Sequence, residues 1–86
     1  MTLPMYKAAY ASFLKRFGEC CLGLRIPFEE MQKRKGVLDQ LCLDAFYAGD
    51  LDVEPYHKIV DHTDQAMYHL SKRYEVKWSL YPEIKA

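Results

Sequence analysis

The clearest structural pattern in the chain is residues 4–24, PMYKAAYASFLKRFGECCLGL. Apolar side chains recur there at intervals of three and four residues, which places them on one face of an α-helix. That face consists of Tyr6, Ala9, Tyr10, Phe13, Leu14, Phe17, Cys20, Cys21 and Leu24. The residue before a proline is pushed away from the α region, so Pro27 requires the helix to end before Ile26. We predict an amphipathic first helix over residues 4–24.

A second helical pattern follows Pro27, and it has a glycine in its interior. Beyond that glycine the apolar spacing resumes at Val37, Leu38, Leu41, Cys42, Ala45 and Phe46. Gly36 has two interpretations: a left-handed C-cap that ends a short helix, or an interior residue costing about 1 kcal/mol relative to alanine. We favour one helix over residues 27–48 that is kinked or interrupted near Gly36.

The third pattern begins at Pro55, with Asp52 placed to cap the helix. Its apolar face is formed by Tyr56, Ile59, Val60, Thr63, Met67, Leu70 and Tyr74. Beyond Tyr74 two periodicities compete, because Trp78 extends the helical spacing but also alternates with its neighbours as in a strand. We expect residues 75–81 to be a frayed helix end or an extended arm that packs Trp78 on the bundle.

Three amphipathic segments joined by short connections predict an all-α fold, a small antiparallel three-helix bundle. A chain of 86 residues has room for one core, so we expect a single domain over residues 1–86. Its 50% hydrophobic content excludes a disordered tail. No stretch approaches the roughly 20 apolar residues of a membrane span, and the N-terminal residues lack a secretory signal pattern. We therefore expect a cytoplasmic protein with no membrane partner.

The three cysteines show neither zinc-site spacing nor a disulfide framework. We interpret Cys20, Cys21 and Cys42 as small core residues in a reducing compartment. A bridge from Cys42 to Cys20 or Cys21 stays open at this stage.

Two further patterns bear on catalysis and metal binding. His57, Asp61 and Asp64 lie on one side of the third helix, and Glu54-x-x-His57 resembles half of a di-iron carboxylate site. No second Glu-x-x-His occurs, and surface ion pairing explains the same residues. The chain has no glycine-rich phosphate loop, and its cysteines fall on apolar faces. We predict a non-enzymatic protein with no catalytic residue, metal or cofactor.

The formal net charge of zero conceals an uneven distribution. Residues 1–36 contain seven basic and three acidic groups, whereas residues 37–66 contain seven acidic groups and one basic group. The basic run Lys33, Arg34 and Lys35 suggests nucleic-acid binding, but a neutral chain without a recognition motif disfavours it. Basic residues ahead of Gly36 would also suit a helix C-terminus.

The acidic segment suggests a surface that attracts a basic partner. Tyrosines that fall off the apolar faces would serve as contacts beside the carboxylates. The predicted surface comprises Asp44, Tyr47, Asp50, Asp52, Glu54, Asp61, Asp64 and Tyr68. An ordinary solvated end of the bundle is the plain alternative.

These features favour a binding protein of the inhibitor, immunity, antitoxin or anti-defence kind. Its acidic surface would occupy a basic site on a nuclease, a toxin or a defence-complex subunit. One alternative is a structural or adaptor subunit that forms a homodimer through Leu22, Val76 and Leu80. Another is a small nucleic-acid-binding regulator that uses Lys33 to Lys35.

Overall fold

The computed structural model describes residues 5–76, and this part of the chain forms three α-helices. They are α1 (Met5–Cys21), α2 (Phe28–Tyr47) and α3 (Val53–Arg73), and all three pack against one another. The prediction of a small all-α three-helix bundle is confirmed. No helix within residues 5–76 is both long enough and apolar enough to cross a lipid bilayer.

Contacts between α1 and α3 show that these two helices run parallel. Tyr10 packs edge-on against His62, and Phe17 packs edge-on against His69, so each pair is separated by 52 residues in the sequence. A constant separation along two helices is possible only when both run in the same direction. The α1–α3 pair therefore has the parallel orientation of an up-down-up bundle.

Contacts between α2 and α3 show the opposite orientation. Phe46 near the end of α2 packs against Tyr56 near the start of α3, with ring centroids 5.4 Å apart. Phe28 at the start of α2 packs against Tyr74 just after α3, with centroids 6.1 Å apart. The end of α2 and the start of α3 consequently share one end of the bundle.

The core is one cluster that receives side chains from all three helices and both connections. Its buried apolar members are Tyr6, Phe13, Cys20, Ile26, Phe28, Met31, Leu38, Cys42, Leu51, Ala66, Met67 and Leu70. Two buried hydroxyls satisfy their hydrogen bonds locally, since Thr63 donates to the Ile59 carbonyl and Ser71 to the Tyr68 carbonyl. Most residues of the predicted apolar faces are therefore in or against this core.

Each helix ends in the same C-terminal motif, with one residue in the left-handed region. That residue is Gly23 after α1 (φ 103°), Gly49 after α2 (φ 83°) and Glu75 after α3 (φ 56°). The N–H of the next residue then donates to a carbonyl five positions back: Leu24 to Glu19, Asp50 to Ala45, and Val76 to Ser71. Gly23 ends α1 at Cys21, three residues earlier than the periodicity predicted.

The predicted C-terminal arm lies largely beyond the described residues. Glu75 and Val76 complete the motif that ends α3, so the predicted helix end is placed at Arg73. The expectation for residues 77–81, including the packing of Trp78, lies outside the described residues.

Gly36 lies inside α2, which is continuous from Phe28 to Tyr47. The interruption expected near Gly36 is therefore wrong. Met31 and Leu38 are buried on the two sides of the glycine, so core packing continues across it. A Cβ added at Gly36 would meet nothing within 4 Å.

We expect Gly36→Ala to raise the free energy of unfolding by about 0.5 to 1 kcal/mol, because alanine restricts the unfolded chain and fits the helix. Urea denaturation followed by circular dichroism would measure the change. Gly49→Ala is the control, since its positive φ penalises a side chain and should lower the free energy of unfolding by about 1 kcal/mol. A destabilised Gly36→Ala variant would contradict a continuous α2.

Candidate functional site

The end of the bundle where α2 connects to α3 carries a group of exposed carboxylates. Asp44 lies in the last turn of α2, Asp50 and Asp52 in the connection, and Glu54 in the first turn of α3. All four are exposed, and none forms a salt bridge within residues 5–76. We call these four residues the acidic turn. Asp61 is also exposed and lies seven residues, or about 10 Å, along α3 from Glu54.

Helix ends change the electrostatics of the acidic turn. The carbonyl end of α2 carries about half a negative charge, and no basic residue in its last turn offsets it. Asp44 adds a carboxylate at this negative end, where it is unfavourable for helix stability. Its Oδ1 accepts a hydrogen bond from the Gln40 amide at 2.9 Å, which orients it without neutralising it.

Asp52 occupies the predicted N-cap position of α3, but its side chain makes no capping hydrogen bond. Asp52 therefore occupies the N-cap position without capping the helix through its side chain, and its carboxylate contributes negative charge to the surface. Glu54 in the first turn of α3 is favourable for the helix. Helix stability thus explains Glu54, whereas Asp44, Asp50 and Asp52 have no cationic partner among the described residues.

Tyr47 is the exposed aromatic residue of this surface, with 78% of its area accessible. Its ring lies 5.7 Å from that of Phe46, which in turn packs on Tyr56. Tyr56 continues the row by an edge contact with His57 at 5.5 Å. Tyr47 is therefore an accessible ring held on one side by a packed aromatic row, with Asp44 and Asp50 three residues away in either direction.

Tyr68 lies away from the acidic turn. It is 39% exposed, as its position off the apolar face predicted, but it lies 14 residues from Glu54. That separation is about 21 Å along α3. The Lys72 ammonium already lies over its ring, 5.1 Å from the centroid. Tyr68 does not form a common surface with the acidic turn.

Asp64 lies inside the α2–α3 interface instead of on the predicted surface. Its Oδ1 is 2.9 Å from the Nζ of Lys35, a residue that is only 4% exposed. Lys35 also pairs with Asp39, one turn further along α2. The prediction that Asp64 belongs to the partner-binding surface is corrected by this contact, because the carboxylate already has an internal cationic partner.

The surroundings of Lys35 perturb two neighbouring groups. Burial raises the pKa of the Asp39 carboxyl, and this effect outweighs the hydrogen bond and the charge of Lys35. Burial, and then the nearby Asp39 charge, raise the pKa of the Cys42 thiol. Cys42 is thereby kept as a neutral thiol, which is a poor nucleophile.

Three of the six basic residues in α1 and α2 have carboxylate partners. Arg16 lies 3.6 Å from Glu19, and Arg34 lies 3.7 Å from Glu30. With Lys35 buried, Lys33 is the one member of the basic run without a carboxylate partner among the described residues. The run that suggested nucleic-acid binding is therefore not a continuous exposed basic surface.

The cysteines are free, with Cys20 and Cys42 buried and Cys21 exposed. Cys20 contacts Tyr74, which packs on Phe28 at the start of α2. Cys42 lies 14 residues after Phe28, which is about 21 Å further along the same helix. A disulfide needs Cα atoms within about 7 Å, so this fold does not permit a Cys20–Cys42 bridge. Cys21 was expected in the core, but it follows the last buried position of α1 and is exposed.

The opposite end of the bundle has an apolar character. An open cavity of about 780 Å³ lies between the α1–α2 connection and the end of α3, lined by Leu24, Ile26, Phe28, Arg73 and Val76 among others. Leu22 is 87% exposed and Leu24 is 56% exposed at this end. Within residues 5–76 no group of three or more His, Cys, Asp or Glu side chains is arranged to hold a metal ion.

No protein-family model, curated protein or solved structure matches the chain. The acidic turn with Tyr47 is thus the surface from which a function can be argued, and the apolar end is the second.

Asp61 and Asp64 provide a matched pair that tests this assignment. We expect Asp64→Asn to lower the free energy of unfolding by about 2 kcal/mol, because it removes a charged hydrogen bond from buried Lys35. Asp61→Asn should change it by less than about 0.5 kcal/mol, as for an ordinary surface site. Urea denaturation at neutral pH measures both. Equal effects would place Asp64 back on the surface.

Proposed function

We propose that this protein is a non-enzymatic inhibitor of the immunity, antitoxin or anti-defence kind. The acidic turn would occupy a basic site on a nucleic-acid-processing partner, such as a nuclease, a toxin or a defence-complex subunit. The observation that supports this most directly is the grouping of four exposed carboxylates at one end of the bundle, none of which forms a salt bridge within residues 5–76.

The position of the unpaired charge also supports a partner. Like charges gathered at one end of a bundle repel one another, and Asp44 at the negative end of α2 adds to the cost. A local arrangement that lowers stability without an internal compensation is expected at functional sites. A basic partner would supply the missing counter-charge, and sites that bind phosphates carry such charge.

Tyr47 would provide the short-range contact that the carboxylates cannot. Long-range charge mainly accelerates association, whereas buried aromatic anchors carry much of the binding energy. Tyr47 is 78% exposed, so a partner that covers its ring would remove a large aromatic area from water.

We expect the Asp50→Lys/Asp52→Lys variant to lose binding to the partner. The protein would be tagged and used at low salt to capture proteins from lysate of its native host, with bound proteins and nucleic acid quantified. Association with a captured partner should slow by at least about tenfold, because electrostatic steering is reversed. Circular dichroism should be unchanged, since both side chains are exposed and neither forms a salt bridge within residues 5–76.

The matched control is Glu29→Lys/Glu75→Lys, which makes the same change in net charge at the opposite end of the bundle. Both glutamates are exposed and form no salt bridge within residues 5–76. A protein retained by wild type and by this control, but not by the acidic-turn variant, would be the proposed partner. If no captured protein distinguishes the two variants, the acidic turn is not a binding surface.

Self-association is the second candidate function, and the apolar end of the bundle favours it. Leu22 and Leu24 are exposed there, and Val76 is 41% exposed beside the same cavity. Exposed large apolar residues grouped in one region are typical of interaction surfaces. A homodimer through this end would leave the acidic turns free at the far ends.

We expect the wild-type protein to be a monomer under the inhibitor proposal and a dimer under the self-association proposal. Gel filtration with light scattering, over a concentration range that reaches about 1 mM, separates the two. If a dimer forms, Leu22→Ser/Leu24→Ser should return it to a monomer, because each replacement removes apolar area from the contact. A dimer that survives this double substitution would use another surface.

A further inference from the structure

Lys35 is the only charged residue in the buried set of residues 5–76. It lies on the core face of α2, between Met31 and Leu38, both of which have no accessible area. A buried ammonium is costly unless charged hydrogen bonds replace its lost hydration. The position is therefore one where an apolar residue would be the simple choice for stability.

Two carboxylates compensate Lys35, and they differ in what they constrain. Asp39 lies four residues further along the same helix, so its contact with Lys35 forms in any arrangement of the bundle. Asp64 comes from α3, so its contact requires α2 and α3 to be correctly aligned. Among residues 5–76, this is the only salt bridge that joins two helices.

We infer that the Lys35–Asp64 pair is a register lock, a conformational device that permits only one alignment of α2 against α3. A slip of α3 by three residues would bring Asp61 toward Lys35 only with the core face of α3 turned by about 60°. A slip by four residues keeps that face closer to α2 and would place Val60 or Tyr68 opposite Lys35 in place of Asp64. Neither of these two residues carries a charge that can compensate the ammonium. The slipped arrangement leaves Lys35 buried with Asp39 alone.

Ring contacts align α2 with α3 at the two ends of their interface, but apolar packing along the middle of α3 distinguishes these registers weakly. The α3 face toward the core repeats small or flexible side chains, such as Ala66 and Met67, at helical intervals. Flexible side chains such as methionine fill irregular gaps and specify packing poorly. An ion pair that must meet across the interface adds the discrimination that such a face lacks.

The register lock also bears on the position of the acidic turn at the α2–α3 connection. The connection between Tyr47 and Val53 is short, so the alignment of the two helices sets where its residues lie. In the present register Phe46 and Tyr56 are in contact, with ring centroids 5.4 Å apart. The lock does not depend on the proposed inhibitor function, because it concerns the isolated protein.

The test replaces Lys35 with methionine, which has similar length and no charge. We expect Lys35→Met to remain folded, because methionine suits the buried position and the two carboxylates left behind, Asp39 and Asp64, are 42% and 20% exposed and therefore in contact with water. Its amide spectrum should nevertheless show additional peaks or exchange broadening in α2 and α3. Nuclear Overhauser contacts between Phe46 and Tyr56 should weaken. A single set of peaks with wild-type contacts would overturn the register lock.

A charge exchange gives an independent test. Lys35→Asp and Asp64→Lys should each lower the folding equilibrium constant by about 100-fold, since the first places a third carboxylate beside Asp39 and Asp64 and the second places another ammonium beside buried Lys35. The double variant Lys35→Asp/Asp64→Lys restores an opposite pair across the interface, and it should recover at least tenfold over the sum of the single effects. Additive effects in the double variant would show that the contact does not couple α2 to α3, and would overturn the proposal even if Lys35→Met failed to fold.

Discussion

The salt bridge between Lys35 and Asp64 is the constraint on which the arrangement of α2 and α3 depends. It joins two helices at a buried position, whereas the other salt bridges among the described residues lie within single helices. Alignment of α2 with α3 brings Phe46 onto Tyr56 at the connection. The aromatic row there supports Tyr47, and the acidic turn surrounds it. The Lys35–Asp64 pair and the acidic turn are thus connected through the alignment of α2 with α3.

Helical periodicity predicted all three helices because the apolar faces repeat over several turns, and tertiary packing acts on those faces. The ends of the helices were harder to predict, because glycine serves both as a C-cap and as a tolerated interior residue. Gly49 adopts a positive φ and ends α2, whereas Gly36 keeps the helical conformation between buried Met31 and Leu38. Both conformations are open to glycine, so the residue type at position 36 could not decide between them.

The exposed carboxylates of the acidic turn were predictable because residues in and beside a short connection are usually solvated. The internal position of Asp64 was not predictable, because Asp64 lies only three residues after exposed Asp61 and is rotated by about 60° around the helix. Which flank of α3 faces α2 depends on the packing of the bundle. Lys35 carried a usable pattern, since it falls on the 31, 35, 38 and 42 spacing of the core face. A lysine on an apolar face is a reason to look for a carboxylate on a neighbouring helix.

The Lys35–Asp64 pair and the acidic turn differ in whether their charges are compensated inside the bundle. Lys35 and Asp64 compensate each other inside the bundle, so neither has charge left to offer a partner. Asp44, Asp50 and Asp52 lie outside the core and have no salt bridge within residues 5–76. The Gln40 amide binds Asp44 but does not neutralise it. The charge of these exposed carboxylates is therefore carried at the surface, where the proposed function uses it to attract a basic partner.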